Sequence, residues 1–293
     1  MSNDFFEGWY FKHQLGSDML AFIPGRTASG AFVQMICTDF SRRFDVPSLT
    51  VENNVIRAGN CSFSGRGAEI NLPDVSGRID YGAFSTLGSD VMGPFRHLPM
   101  ECRHGVISMS HALSGAVTIC GRAHRFDGGK GYIEKDSGTS FPRSYMWLQC
   151  NDFLAPCSLM LSIADIPFGG FRFRGCICSV LYGNREYRLA TYNGVKIHVE
   201  EAEHVRLSQG SLLLEIDAVP SREGHALLSP VRGKMSGSIR ENCNTSVHVK
   251  LWSRGRAVFD LSSPHAAYEF VPYVGDSRQN EKIQRERIFF RAR

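Results

Sequence analysis

Apolar and polar residues alternate along most of this chain in short runs closed by Gly, Asn, Asp or Pro. The segments AFVQMICTDF (31–40), HGVISMSH (104–111), GAVTICG (115–121), SLMLSIADI (158–166), GCICSVLY (175–182) and SVHVKLW (246–252) carry this texture. Successive side chains of a β-strand point to opposite faces, so such alternation predicts strands with one buried face. Turn signals fall between them, Asp127-Gly128-Gly129 and Asn193-Gly194 among them. Helical periodicity is scarce; the charged segment DSRQNEKIQRERIFFRAR (276–293) predicts a short surface helix or a frayed end. Many short strands with few short helices predict an all-β sandwich or barrel. At 293 residues, two barrel-like halves fit better than one. The Pro-bearing connection in QCNDFLAPC sets the expected boundary at 151–158, dividing the chain into 1–157 and 158–293. A faint internal echo supports two halves. AVTICGRAHRFD (116–127) and HVKLWSRGRAVFD (248–260) each read as an alternating strand, a Gly/Arg turn and an aromatic-Asp strand end.

The same parity sorts the residues that could carry chemistry. In GYIEKDSG (131–138), Tyr132, Glu134 and Asp136 share one face, with Ile133 and Lys135 on the other. The two carboxyls are then roughly 6–7 Å apart along the strand. In FPRSYMWLQCN (141–151), Tyr145, Trp147 and Gln149 share a face, opposite Met146, Leu148 and Cys150. In FFEGWYFKHQ (5–14), Phe5, Glu7, Trp9, Phe11 and His13 alternate on one face. The parity of these three segments points Tyr132, Glu134, Asp136, Trp9 and Trp147 into a cavity of the N-terminal half. A carboxyl buried among apolar groups holds its proton, because desolvation disfavours the anion, and can then act as a general acid near neutral pH. The pattern is equally compatible with Glu134 and Asp136 on a solvated strand face and with the Trp and Tyr rings as plain core. His104 and His111, in MECRHGVISMSH, fit hydrogen-bonded structural histidines as well as site residues.

Composition narrows the field. Hydrophobic residues make up 43% and charged residues 21%, which suits a globular core. A net charge of +4, carried mostly by scattered Arg, gives no reason to expect a nucleic-acid partner. Nine dispersed cysteines, with Cys176 and Cys178 as an isolated C-x-C pair, predict free thiols and no bound metal. The start shows no apolar signal region, and no run approaches the roughly 18 apolar residues of a membrane span. The expectation is a cytoplasmic protein, with peripheral contact to a membrane left open. Phosphate loops, G-x-S-x-G elbows and H-E-x-x-H are missing.

Two blocks resemble the tocopherol cyclase family. FEGWYFKHQ matches its E-G-W-[YF] opening. GYIEKDSGTSFPRSYMWLQCN matches its Y-x-E-K-[ND]-x-G-x-x-F-P-x-x-[WY]-x-W-x-Q block. The plant motif usually carries Asn then Trp where this chain has Asp136 and Ser137. The resemblance implies tandem lipocalin-like β-barrels or half-barrels. It also implies cofactor-free, acid-catalysed closure of a prenylated phenol or hydroquinone: an acid protonates an alkene and the phenolic oxygen captures the cation. By motif position it makes Asp136 and Glu134 candidates for the acid and its partner, with Glu7 next in rank. Trp147, Tyr145 and Trp9 become candidates for stabilising the cation or stacking on the ring. Together with Tyr132, Phe141, Gln149 and, outside the two blocks, His104, they are the candidates for binding an apolar isoprenoid lipid. A carrier of an apolar ligand and an isoprenoid hydratase or isomerase are the alternatives. A dry cavity with an inward carboxyl favours an enzyme; a wide cavity with carboxyls at its rim favours a carrier.

Overall fold

In a computed structural model of the chain, residues 4–220 and 223–272 are described. The segment expected to be a terminal helix, 276–293, lies outside them. The first sheet collects twelve strands: β1 (Phe6–Leu15), β2 (Asp18–Thr27), β3 (Gly30–Cys37), β4 (Ser41–Val46), β5 (Leu49–Glu52), β6 (Val55–Ala58), β7 (Cys61–Ser64), β8 (Gly67–Leu72), β9 (Val75–Tyr81), β10 (Cys102–Ile119), β11 (Arg122–Arg125) and β12 (Lys130–Gly138). The second collects ten: β13 (Tyr145–Cys150), β14 (Cys157–Phe168), β15 (Phe171–Tyr182), β16 (Arg185–Ala190), β17 (Lys196–Glu201), β18 (His204–Gln209), β19 (Leu212–Pro220), β20 (His225–Val231), β21 (Lys234–Ser253) and β22 (Arg256–Val271). The few helices reduce to two 3-10 turns, Gly93–His97 and Thr191–Asn193, among the described residues. None of the described helices is long and apolar enough to cross a membrane.

Both sheets follow one plan. The opening strand pairs with the closing strand, β1 with β12 and β13 with β22, and the rest fan out on either side. The first path runs from β4 to β5 without those two pairing, so each half is an open half-barrel. The echo in the sequence is a pair of equivalent hairpins. Cys120-Gly121 turns β10 into β11 with φ of 49° and 82°; Arg254-Gly255 turns β21 into β22 with φ of 52° and 72°. Two consecutive positive φ values make the tight turn whose twist matches the strands it joins.

The chain crosses between sheets at residues 139–144, ahead of the expected 151–158 boundary, because β13 pairs with β14 and β22. The Pro-bearing segment 151–156 is a loop inside the second sheet. Three apolar clusters result. One fills the first half-barrel, with Phe11, Phe22, Phe63 and Ile133; one fills the second, with Leu148, Leu161, Ile216 and Leu251. The third lies between the sheets, with Tyr10, Tyr132, Tyr145, Trp147, Met160 and Ile239. Strands at the junction therefore bury both faces, and all six residues of β13 are buried. The nine cysteines are all free thiols, as their dispersion predicts.

The crossing is geometrically tight at Gly138, the motif glycine that ends β12. Its φ is +154°, and an added Cβ would collide with the Glu101 carbonyl oxygen. Gly210 also has a positive φ, +57°, but faces open space. Gly138→Ala is expected to destabilise the fold by about 2 kcal/mol or more. Gly210→Ala should cost only about 1 kcal/mol. Denaturant unfolding of the two variants side by side measures the difference; equal losses would remove the steric account.

Candidate active site between the two sheets

Glu134 sits near the centre of β12, directly opposite Tyr10 of β1 in the antiparallel register. Its face looks across at β13 of the other sheet. Glu134 is 5% exposed, and its Oε2 accepts a 2.6 Å hydrogen bond from the Tyr132 hydroxyl and a 3.2 Å bond from Trp147 Nε1. The bond from Trp147 crosses the junction, so the carboxyl is held by both halves. Burial, reinforced by the neighbouring Asp136, raises the Glu134 carboxyl to about 7 against the pull of His104. Near neutral pH it is a carboxylic acid a large part of the time.

His104, on β10 beside Asp136, completes the cluster. Its Nδ1 lies 2.9 Å from Asp136 Oδ1, and its Nε2 lies 3.5 Å from Glu134 Oε2 without a full hydrogen bond. Burial works against the imidazolium, but the Glu134 and Asp136 carboxyls outweigh it and raise His104 to about 9. The charged ring then donates from Nδ1 to Asp136. Cys102 Sγ approaches the same Asp136 oxygen at 3.7 Å. Donor atoms of His104, Glu134 and Asp136 lie within 4.8 Å of one another, close enough to hold a cation. The His104–Asp136 bond already occupies one atom of each.

These groups border a cavity of about 160 Å³ at the junction. Glu134, Asp136, His104, Tyr145, Trp147 and Phe141, all singled out in the sequence, line it. Tyr132 and Gln149 do not. Tyr132 stands behind Glu134 as its hydrogen-bond donor, and Gln149 lies deeper, accepting a 2.9 Å bond from Lys12 Nζ. Trp9 and Glu7 correct the parity argument. They touch the cavity wall, but β1 turns the Trp9 ring toward the first half-barrel's core, where Lys135 Nζ stands 4.7 Å above it. Glu7 is clasped by Arg26 at 2.8 Å and Lys135 at 2.5 Å, tying β1 to β2 and β12. The cavity of the site is thus not inside the N-terminal barrel, where strand parity alone centred it, but between the halves.

Residues that strand parity passed over fill the remaining positions. Tyr10, not Trp9, is the β1 side chain that shares the face of Glu134; its ring meets Trp147 edge-on at 5.5 Å. Its hydroxyl donates to Glu241 Oε1 at 2.5 Å. Glu269, opposite Trp147 in register, accepts from the Tyr145 hydroxyl at 2.5 Å and lines the cavity. Burial raises Glu241 to about 7 and Glu269 well above the usual carboxylate range. Three Tyr–Glu pairs, Tyr132–Glu134, Tyr10–Glu241 and Tyr145–Glu269, therefore converge around Trp147. The available signal was Glu269 within AAYEFVPY, one acid in an apolar aromatic run.

The tocopherol cyclase-like family model matches residues 74–271. A probable chloroplastic tocopherol cyclase of Oryza sativa subsp. japonica is 26% identical over 205 residues, covering 61% of this chain and 43% of the relative. The chloroplastic tocopherol cyclase of Zea mays is 26% identical over 193 residues, covering 57% and 38%. The match thus spans less than half the length of these plant relatives. Among solved structures, CghA with Sch210972 is similar with a TM-score of 0.62 at 11% identity, over 93% of this chain and 90% of that one. An AttH-like protein of Nitrosomonas europaea gives 0.58 at 11%, over 92% and 93%. Kievitone hydratase from Nectria haematococca gives 0.50 at 12%, over 92% and 89%. These three likenesses establish the common fold of paired β half-barrels along nearly the whole chain. With the motif blocks in β1, β12 and β13 and a family match across most of its length, the chain belongs to the tocopherol cyclase-like family.

Proposed function

We propose that the protein is a cofactor-independent acid catalyst that closes a prenylated phenol or hydroquinone into a cyclic ether. One observation carries the reading: a buried carboxylic acid, Glu134, raised to about 7 and facing an aromatic, largely apolar cavity. In this reading the Glu134 proton adds to the less substituted carbon of the trisubstituted alkene. The tertiary cation forms against the rings of Trp147, Tyr145 and Phe141, whose negative faces stabilise it. The phenolic oxygen forms the new C–O bond, and its proton returns to Glu134. Atoms and electrons balance without oxidant or reductant. Tyr132 and Trp147 fix the carboxyl, and the His104–Asp136 pair sets its charge environment. Glu134 lies inward rather than at an open rim, which favours an enzyme over a carrier. Capture of the same cation by water would make the reaction a hydration, the activity named for one structural relative.

Glu134→Gln keeps the shape and removes the acidic proton. Turnover of a prenylated hydroquinone is expected to fall on the order of 10²-fold or more, while an analogue with a saturated chain still binds. Product mass separates the outcomes: an unchanged mass supports ring closure, and a gain of one water supports hydration. Tight analogue binding with no turnover by the wild-type protein would leave a carrier, and full turnover by Glu134→Gln would remove Glu134 as the acid.

The same groups set a pH dependence. Glu134 and Glu241 hold protons in the folded state up to about 7, well above their ordinary 4.5. His104 holds its proton up to about 9, above 6.5. Their raised values stabilise the fold at low pH and lose that contribution as pH rises through the folded values. His13 and His111, lowered to about 4 and about 3, act oppositely below 6.5. Between pH 6.5 and 9 the melting temperature should therefore fall. His104→Gln should flatten that slope; an unchanged slope would contradict the assignment.

A further inference from the structure

The end of the cavity is built from four segments, of which only Phe141 enters the proposed chemistry. The 139–144 crossing meets the β20–β21 turn through Phe141 N–H to Pro230 O at 3.0 Å and Gly233 N–H to Thr139 O at 2.7 Å. It meets the β14–β15 hairpin through Asp165 N–H to Ser144 O at 2.9 Å. The 3-10 turn Gly93–His97 closes the ring through Phe95, whose ring lies 6.2 Å from Phe173. The cavity-lining side chains here, Phe95, Met100, Phe141 and Met235, are half-buried and Leu228 is exposed, whereas Glu134, Tyr145 and Trp147 further in are buried. This end is the mouth.

Two features mark the mouth. The β14–β15 hairpin ends in Pro167-Phe168-Gly169-Gly170-Phe171, with Phe168 37% and Phe171 58% exposed. Phe168 meets Phe171 at 5.8 Å, Phe171 meets Phe173 at 6.5 Å, and Phe173 meets Phe95, so an aromatic path runs from the exposed tip to the cavity wall. Val231, at the neighbouring β20–β21 turn, is 46% exposed. The mouth segments also carry Arg96 in the 3-10 turn, Arg143 in the crossing and Arg232 and Lys234 beside Val231, all exposed and none in an ion pair among the described residues. Arg172 and Arg174 on the hairpin are paired, with Asp165 and Glu200. An exposed aromatic tip and unpaired cations on the segments of one cavity mouth are complementary to one surface, an anionic lipid bilayer, where the rings enter the acyl boundary and the cations meet headgroups.

We infer that the protein docks by this mouth on anionic membranes, inserting the Phe168–Phe171 tip so that an apolar ligand can pass between bilayer and cavity. Docking does not depend on which reaction follows, so its test stands apart from that of the proposed activity. The full chain is floated with vesicles of phosphatidylcholine alone or with about one-third phosphatidylglycerol. Wild-type protein should partition onto the anionic vesicles and release as salt is raised. F168S/F171S should bind about tenfold or more weakly, and R96E/R143E should lose the preference for anionic lipid. Phe171→Trp should show a blue-shifted emission on anionic vesicles, reporting burial of that tip directly. Wild-type protein that ignores both vesicle types overturns the inference. So does F168S/F171S binding like wild type, or an emission of the Phe171→Trp variant that does not move.

Discussion

Everything about the site depends on keeping one carboxyl, that of Glu134, away from water without leaving it alone. Raising a glutamate from 4.5 to about 7 corresponds to roughly 3 kcal/mol disfavouring the anion. A single open sheet cannot do this, because one of its faces always meets solvent. The chain solves the problem by stacking a second half-barrel on the outer face of the first. Glu134 gets one hydrogen bond from its own strand, from Tyr132, and one across the junction, from Trp147. Separating the halves would expose the carboxyl and dissolve the cavity together.

The repeat plan explains why the junction is rich in such groups. In each half the opening and closing strands pair, and their outer faces become the junction. Glu134 lies opposite Tyr10 in the first half, and Glu269 lies opposite Trp147 in the second. The two glutamates stand on the closing strands of the two halves, and both look into the cavity. Glu241, opposite Glu269 on β21, adds the third. Buried carboxyls this close suppress one another's ionisation, which makes the junction a place where protons are retained. The tyrosine hydroxyls answer each acid with a hydrogen bond, so burial does not leave these oxygens wholly unsatisfied.

How much of this was legible can be followed residue by residue. Alternation within one strand grouped Tyr132, Glu134 and Asp136, and separately Tyr145, Trp147 and Gln149, because strand parity is a local property. It could not say which parity of β1 meets them. That depends on pairing Tyr10 with Glu134 across two strands more than a hundred residues apart in sequence. The choice of Trp9 over Tyr10 is a one-residue error of face, the kind that a register slip produces. Glu241 and Glu269 were passed over because a lone acid in a strand reads as solvent-facing until a second sheet covers it.

The sequence by itself determined the strand-rich architecture, its division into two related units, the free thiols and the block holding Glu134, Asp136 and Trp147. Each follows from short-range rules: period-two alternation, turn chemistry, motif spacing and the dispersion of cysteine. Only the tertiary structure decided that the cavity lies between the halves, that β13 belongs with the second sheet, and that Tyr10, Glu241 and Glu269 join the site around Trp147. Those outcomes depend on which outer faces stack. Packing of one sheet on another is set by contacts between residues far apart in the chain, and no local pattern encodes it.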